Sequence, residues 1–232
     1  MPAAQPFGIV FDGVNIWTAN SGNGTVSKFR ASDGFLLGTF PANPSPKEIA
    51  FDGRNIWVTN FNDNIVTKIN ASDGSIIGTY GVGNKPHGIA FDGENIWVAN
   101  SQGASVTKLL ASDGTLLDTI PVGIQPHHVV FDGKNIWVTN FNDNIVTKIN
   151  ASDGSMIGTY GVGNKPHGIA FDGENIWVAN SQGASVTKLL ASDGTLLDTI
   201  PAGIQPHHVV FDGRSIWVTN SNQNTISRLS VH

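Results

Sequence analysis

The chain has 232 residues, no cysteine, 13% charged residues and a formal net charge of −5. Without cysteine there are no disulfides, no thiol catalysis and no cysteine-ligated metal, and without a basic stripe nucleic acid is not an expected partner. No apolar run approaches the ~20 residues that span a bilayer, and the first residues do not form a signal peptide, so no membrane partner is expected and the compartment stays open.

In chain order, the first landmark is Phe11-Asp12-Gly13. The same triplet returns at Phe51, Phe91, Phe131, Phe171 and Phe211, always 40 residues on. All six tryptophans, Trp17, Trp57, Trp97, Trp137, Trp177 and Trp217, keep the same step. A fixed period over a whole chain is the signature of a repeat architecture.

The third repeat shows the elements. His87 to Asp92, Asn95 to Asn100, Ser105 to Leu110 and Thr115 to Ile120 are short apolar runs rich in β-branched residues. Asp-Gly and Pro-Val-Gly punctuate them, which predicts four strands joined by tight turns. Glycine after aspartate supplies the positive φ such turns need. Ile96 and Val98 point to one face of the second strand, Trp97 and Ala99 to the other. A sheet apolar on both faces needs a neighbour on each side, as the blades of a propeller provide. The tryptophans are read as core between blades.

The expected fold is an all-β, six-bladed β-propeller in one domain, 1–232. Its blades lie at about 7–40, 47–80, 87–120, 127–160, 167–200 and 207–230. The last blade lacks an outer strand, which leaves Thr225 to Ser230 as an exposed edge able to pair with another chain. The alternative is that the chain is an excerpt of a longer propeller.

A second period lies above the first. Residues 51–140 and 131–220 differ at five places: Arg54/Lys134, Ile76/Met156, Val122/Ala202, Lys134/Arg214 and Asn135/Ser215. Blades thus alternate in two types, through recent duplication or design. Copies so alike leave little room for one unique catalytic constellation.

Strand order sorts the chemistry by face. The turn aspartates, such as Asp52 and Asp73, fall on one face and are read as turn caps. The histidines His87, His127, His128, His167, His207 and His208 fall on the other. His87, His127, His167 and His207 share one repeat position, occupied by Phe7 and Lys47 in the first two blades. That position opens the innermost strand, so a ring of these six is expected around one channel mouth. Histidine is a common metal ligand and a base near neutral pH. A weak divalent-metal site at His87, His127, His167 and His207 is one reading. The other is histidines that serve only to enter the strand, with no cofactor. Loop residues on the same face, Lys85, Lys165, Phe61, Phe141, Asn62, Asn142, Gln102, Gln182, His128 and His208, are candidate ligand contacts.

The stretch Lys165-Pro166-His167-Gly168-Ile169-Ala170-Phe171-Asp172-Gly173-Glu174-Asn175-Ile176-Trp177 resembles the repeats of the virginiamycin B lyases, and is similar to the wider NHL- and YVTN-type propeller repeats. The resemblance implies a seven-bladed fold and Mg²⁺-dependent elimination at an ester of streptogramin B antibiotics, with His167 and His207 at the catalytic positions. It also implies glutamates where this chain has Gln205 and Ser221, and a tyrosine where it has Phe7. Without carboxylates a hard Mg²⁺ has no anchor, so the lyase activity is expected to be absent. The reading favoured is a non-enzymatic scaffold that binds a small molecule, glycan, peptide or protein on its histidine face. The alternatives are a lyase-like enzyme and an amplified or designed repeat protein with no evolved ligand.

Overall fold

The computed structural model describes residues 4–231. The protein is all-β: among the described residues there are 23 strands and no helix, hence no helix long and apolar enough to cross a membrane. Five sheets have four antiparallel strands in sequential order, and the last has three. This is the six-bladed β-propeller with a short final blade that the repeats predict. The chain divides into two compact units, Met1–Ile120 and Pro121–His232, with blades one to three in the first and four to six in the second.

Blade three consists of Pro86–Phe91, Asn95–Asn100, Ser105–Leu110 and Leu116–Pro121. The middle pair is as the sequence predicts. The first strand begins and ends one residue earlier, because Asp92 leaves the ladder to donate its amide to the Asn95 carbonyl (3.1 Å). Proline can open the strand because a first position tolerates its missing N–H. The fourth strand sits one residue later than expected.

Turn chemistry follows the sequence. Gly13, Gly53, Gly93, Gly133, Gly173 and Gly213 take φ between 90° and 105°. The aspartate before each glycine does more than cap. Asp52 Oδ1 accepts from the Arg54 amide (2.9 Å) and the Asn55 amide (2.6 Å), while Oδ2 accepts from Trp57 Nε1 (2.8 Å). The same latch joins Asp92 to Trp97 and Asp172 to Trp177. It fixes the indole and satisfies a donor that would otherwise be buried without a partner. Burial would raise these carboxyls, but the bonds from tryptophan, asparagine and backbone outweigh it, and Asp52, Asp92 and Asp172 end below the ordinary carboxylate range.

Within each unit the tryptophans form the core between blades. Trp17 packs with Ile49, Ile56 and Val58 of blade two, Trp57 with Ile89, Ile96 and Val98 of blade three, and Trp137 with Ile169, Ile176 and Val178 of blade five. The indoles of blades one to five are fully buried. Each contributes about 150–250 Å² of buried surface.

Lysines bolt the blades together. Lys28 Nζ donates to the Ala71 carbonyl, Lys68 to Ala111 and Lys148 to Ala191, each at 2.7 Å. Each ammonium also lies about 5 Å from the tryptophan ring of its own blade. The final strand, Thr225–Ser230, is an exposed edge, as predicted.

Candidate functional site

The candidate residues sit where the first strand of each blade begins, and a backbone irregularity places them there. In every blade the register between first and second strand shifts after the opening proline: between Pro6 and Ile9, Pro46 and Ile49, Pro126 and Val129, and so on. The residues inside this bulge are Phe7-Gly8, Lys47-Glu48, His87-Gly88, His127-His128, His167-Gly168 and His207-His208. A bulge lets neighbouring side chains escape the strict alternation of a strand. His127 and His128 therefore stack, with centroids 5.3 Å apart and planes 25° apart.

The residue before each proline is also unusual. Gln5, Ser45, Lys85, Gln125, Lys165 and Gln205 all have φ between 52° and 58°. This turns their carbonyls onto the amides that follow the second strand: Ser101 donates to Lys85 (2.9 Å) and Phe141 to Gln125 (3.0 Å). Asn64 Oδ1 and Asn144 Oδ1 hold the backbone amides of Lys85 and Lys165, both at 2.9 Å.

In the first unit these devices gather Phe7, Lys47, Phe61, Lys85 and His87. Lys47 Nζ lies 4.5 Å from the Phe7 ring centre and 5.7 Å from that of Phe61. Lys85 Nζ lies 4.9 Å from Phe61 and donates to Asn62 Oδ1 (3.0 Å). His87 is buried and meets Phe7 and Phe61 edge-on at 5.4 and 6.4 Å.

The second unit repeats the outer part of this group. Lys165 Nζ lies 5.0 Å from the Phe141 ring centre and 2.6 Å from Asn142 Oδ1. The buried His167 meets Phe141 edge-on at 6.3 Å. Deeper in, histidines crowd together. His167 lies 3.9 Å from His127 and 3.5 Å from His207, and His128 lies 4.9 Å from His208, all between ring centres. Burial lowers the His207 pKa. Burial and then the neighbouring His207 push His208 down to about 4.

The candidates Gln102 and Gln182 stand apart. They are exposed on the turns after the second strands, where their amides donate to Asn84 and Asn164.

Two features escaped the sequence. One is Glu48, within the bulge of blade two, whose carboxyl burial raises to about 8 against the opposing charge of Lys47. The other is the role of the alternating glycines. A Cβ on Gly8 would lie 2.6 Å from the Lys47 carbonyl oxygen, and one on Gly168 closer still to that of His207. Glycine in one blade type makes room for the backbone beneath Glu48 or His208 in the other. The 80-residue period was a signal for such a pairing.

Two pairs of histidines in the second unit come close enough to share an ion. Ligand nitrogens of His127 and His128, and those of His128 and His208, approach within 4.8 Å. An imidazole set suits zinc, copper or nickel rather than Mg²⁺. At the two places where the lyase resemblance implies glutamates, Ser221 Oγ donates to the Gln205 carbonyl (3.1 Å). That neutral pair does not fit a hard cation.

The fold is that of a β-propeller. Compared as a structure, the whole chain superposes on a streptogramin B lyase with TM-score 0.81 and 22% identity, covering 85% of that chain. The virginiamycin B lyase from Staphylococcus aureus gives 0.78 and 19%, over 98% of this chain and 84% of that one. A putative 6-phosphogluconolactonase from Bacteroides fragilis gives 0.82 and 20%, over 98% and 80%. The computationally designed Ika8 protein gives 0.81 and 12%, over 97% and 71%. The resemblance to the lyases thus holds in the fold, which proteins of other kinds share. The chain matches no family model and no curated protein.

Proposed function

We propose that this protein is a non-enzymatic binding propeller whose histidine face recognises acidic groups on a small molecule, glycan, peptide or protein. One observation carries the reading: the Phe61–Asn62–Lys85–His87 group is repeated as Phe141–Asn142–Lys165–His167. The lysine-to-ring distances are 4.9 and 5.0 Å, and the phenylalanine-to-histidine distances 6.4 and 6.3 Å. Duplicated sites are a poor basis for catalysis, which needs one matched constellation. They are a good basis for multivalent recognition, where a second tethered contact adds avidity.

In each group the phenylalanine and asparagine orient an ammonium on the loop surface, available to a carboxylate or sulfate. The direct test is binding to an array of acidic glycans and peptides, with Lys85→Ala/Lys165→Ala as control. Retention of acidic probes that the double variant loses is expected. Equal retention by both proteins would defeat the reading.

The lyase-like alternative, with His167 and His207 as bases, draws support from the fold. It lacks the carboxylates at Gln205 and Ser221. Linearisation of a streptogramin B compound by the pure protein would establish it instead.

A further inference from the structure

We propose that each unit holds a groove for a short zwitterionic peptide with apolar side chains, one between blades two and three and its copy between blades four and five. The grooves lie where first strands end, away from the histidines at which those strands begin, so this site is separate from the one assigned above. The first has a volume of about 750 Å³ and the second about 830 Å³, within the ~300–1,000 Å³ of small-ligand sites. Their linings match position for position, and the single difference is Arg54 in the first for Lys134 in the second.

Opposite charges come from the two blades that form each groove. The repeat position held by Arg54 in blade two is held by Glu94 in blade three, and Lys134 and Glu174 hold the same places in the second groove. All four residues are exposed. Lys68 adds to the cationic side. Its ammonium has three hydrogens, of which the Ala111 and Ser112 carbonyls take two (2.7 and 3.0 Å). Arg54 is near enough to oppose the Lys68 charge, as Lys134 opposes that of Lys148. A carboxylate beside such a pair relieves the repulsion and accepts from both.

The Asp52 carboxylate is already engaged, since Trp57 donates to Oδ2 and the Arg54 and Asn55 amides to Oδ1. Glu94 is therefore the anion left for the ammonium of a ligand. Ile77, which is 50% exposed, supplies the apolar part of the lining together with Phe91 and Leu110. A purely anionic ligand meets Glu94 unpaired, and a purely cationic one meets Arg54 and Lys68. A zwitterion with an apolar body satisfies both walls and the lining between them. A groove of this size holds more than one residue, which favours a short peptide over a free amino acid.

The test is isothermal titration with the tripeptide leucyl-alanyl-leucine and with its N-acetylated and C-amidated forms. The wild type is expected to bind the free tripeptide at millimolar concentration, and blocking either terminus is expected to weaken binding about 10-fold or more. Arg54→Gln/Lys134→Gln is expected to lose the preference for the free carboxylate, and Glu94→Gln/Glu174→Gln the preference for the free amine. These positions are exposed, so both variants are expected to keep the fold, which circular dichroism checks. Lys85→Ala/Lys165→Ala is expected to bind the tripeptide as the wild type does, so this inference and the acidic-ligand reading fail independently. No binding of the tripeptide by the wild type, or binding indifferent to N-acetylation and to Glu94→Gln/Glu174→Gln, would overturn the inference.

Discussion

The ammonium of Lys68 and the carbonyl of Ala111 meet at 2.7 Å across 43 residues of sequence. The same ammonium also donates to the Ser112 carbonyl (3.0 Å) and lies over the Trp57 ring. One side chain thus ties a third strand to the last turn of the next blade. A charge-assisted bond of this kind contributes about 1.5–3 kcal/mol. Lys68→Met keeps the stem and removes the bond. It is expected to lower unfolding stability by that amount in urea titrations, whereas Lys85→Met, at the loop surface, is expected to change it by less than about 0.5 kcal/mol.

The aspartate–tryptophan latch predicts acid sensitivity. Asp92 accepts from Trp97 Nε1, from the Asn95 amide and from the Glu94 amide. Its folded pKa lies below the ordinary value because these bonds outweigh the opposing effect of burial. Such a group stabilises the fold above its unfolded pKa of about 3.9 and loses that contribution as pH falls through the folded value. Asp92→Ala is expected to cost about 2–4 kcal/mol at neutral pH, since it strands the indole donor. Melting curves should show the penalty shrinking below pH 4.

Two buried groups at the bulges give slopes of opposite sign between pH 4 and 8. His208 is held down to about 4 from an ordinary 6.5. The unfolded chain therefore takes up a proton first, and stability falls as pH drops from 6.5 towards 4. Glu48 is raised from 4.5 to about 8. It favours the fold most below 4.5, and that contribution is lost as pH rises through 8. His208→Asn should flatten the acidic limb of a Tm-against-pH curve. Glu48→Gln should flatten the alkaline limb and raise Tm at pH 8.

Gly168 tests why the two blade types alternate. A methyl group there would collide with the His207 carbonyl oxygen and approach the His208 Cα to 2.9 Å. These are backbone atoms that cannot step aside. Gly168→Ala is expected to cost about 1–3 kcal/mol and to shift the imidazole resonances of His207 and His208. An alanine variant as stable as the wild type would show that the strands slide apart freely.

The blades were legible because each rests on a local rule repeated six times: Asp-Gly turns, runs of six, and tryptophan on a two-faced strand. Placing His87, His127, His128, His167, His207 and His208 at the start of the first strands followed from strand order alone. The bulges were not legible, since nothing in Pro-His-His-Val announces an extra residue in one strand. Nor were the left-handed residues before the prolines, because lysine, glutamine and serine are not residues that favour positive φ. Those two backbone features decide which side chains converge. The sequence therefore brought His127 and His167 to one mouth but could not pair Phe61 with Lys85, or reveal Glu48 as a buried carboxyl.

The central claim is a pair of equivalent acidic-ligand sites, and the most direct measurement is an isothermal titration of the protein with a short acidic peptide such as tetraglutamate. The account predicts two equal sites per chain, one left in Lys85→Ala or Lys165→Ala and none in the double variant. A single site that survives both substitutions, or no binding, would contradict it.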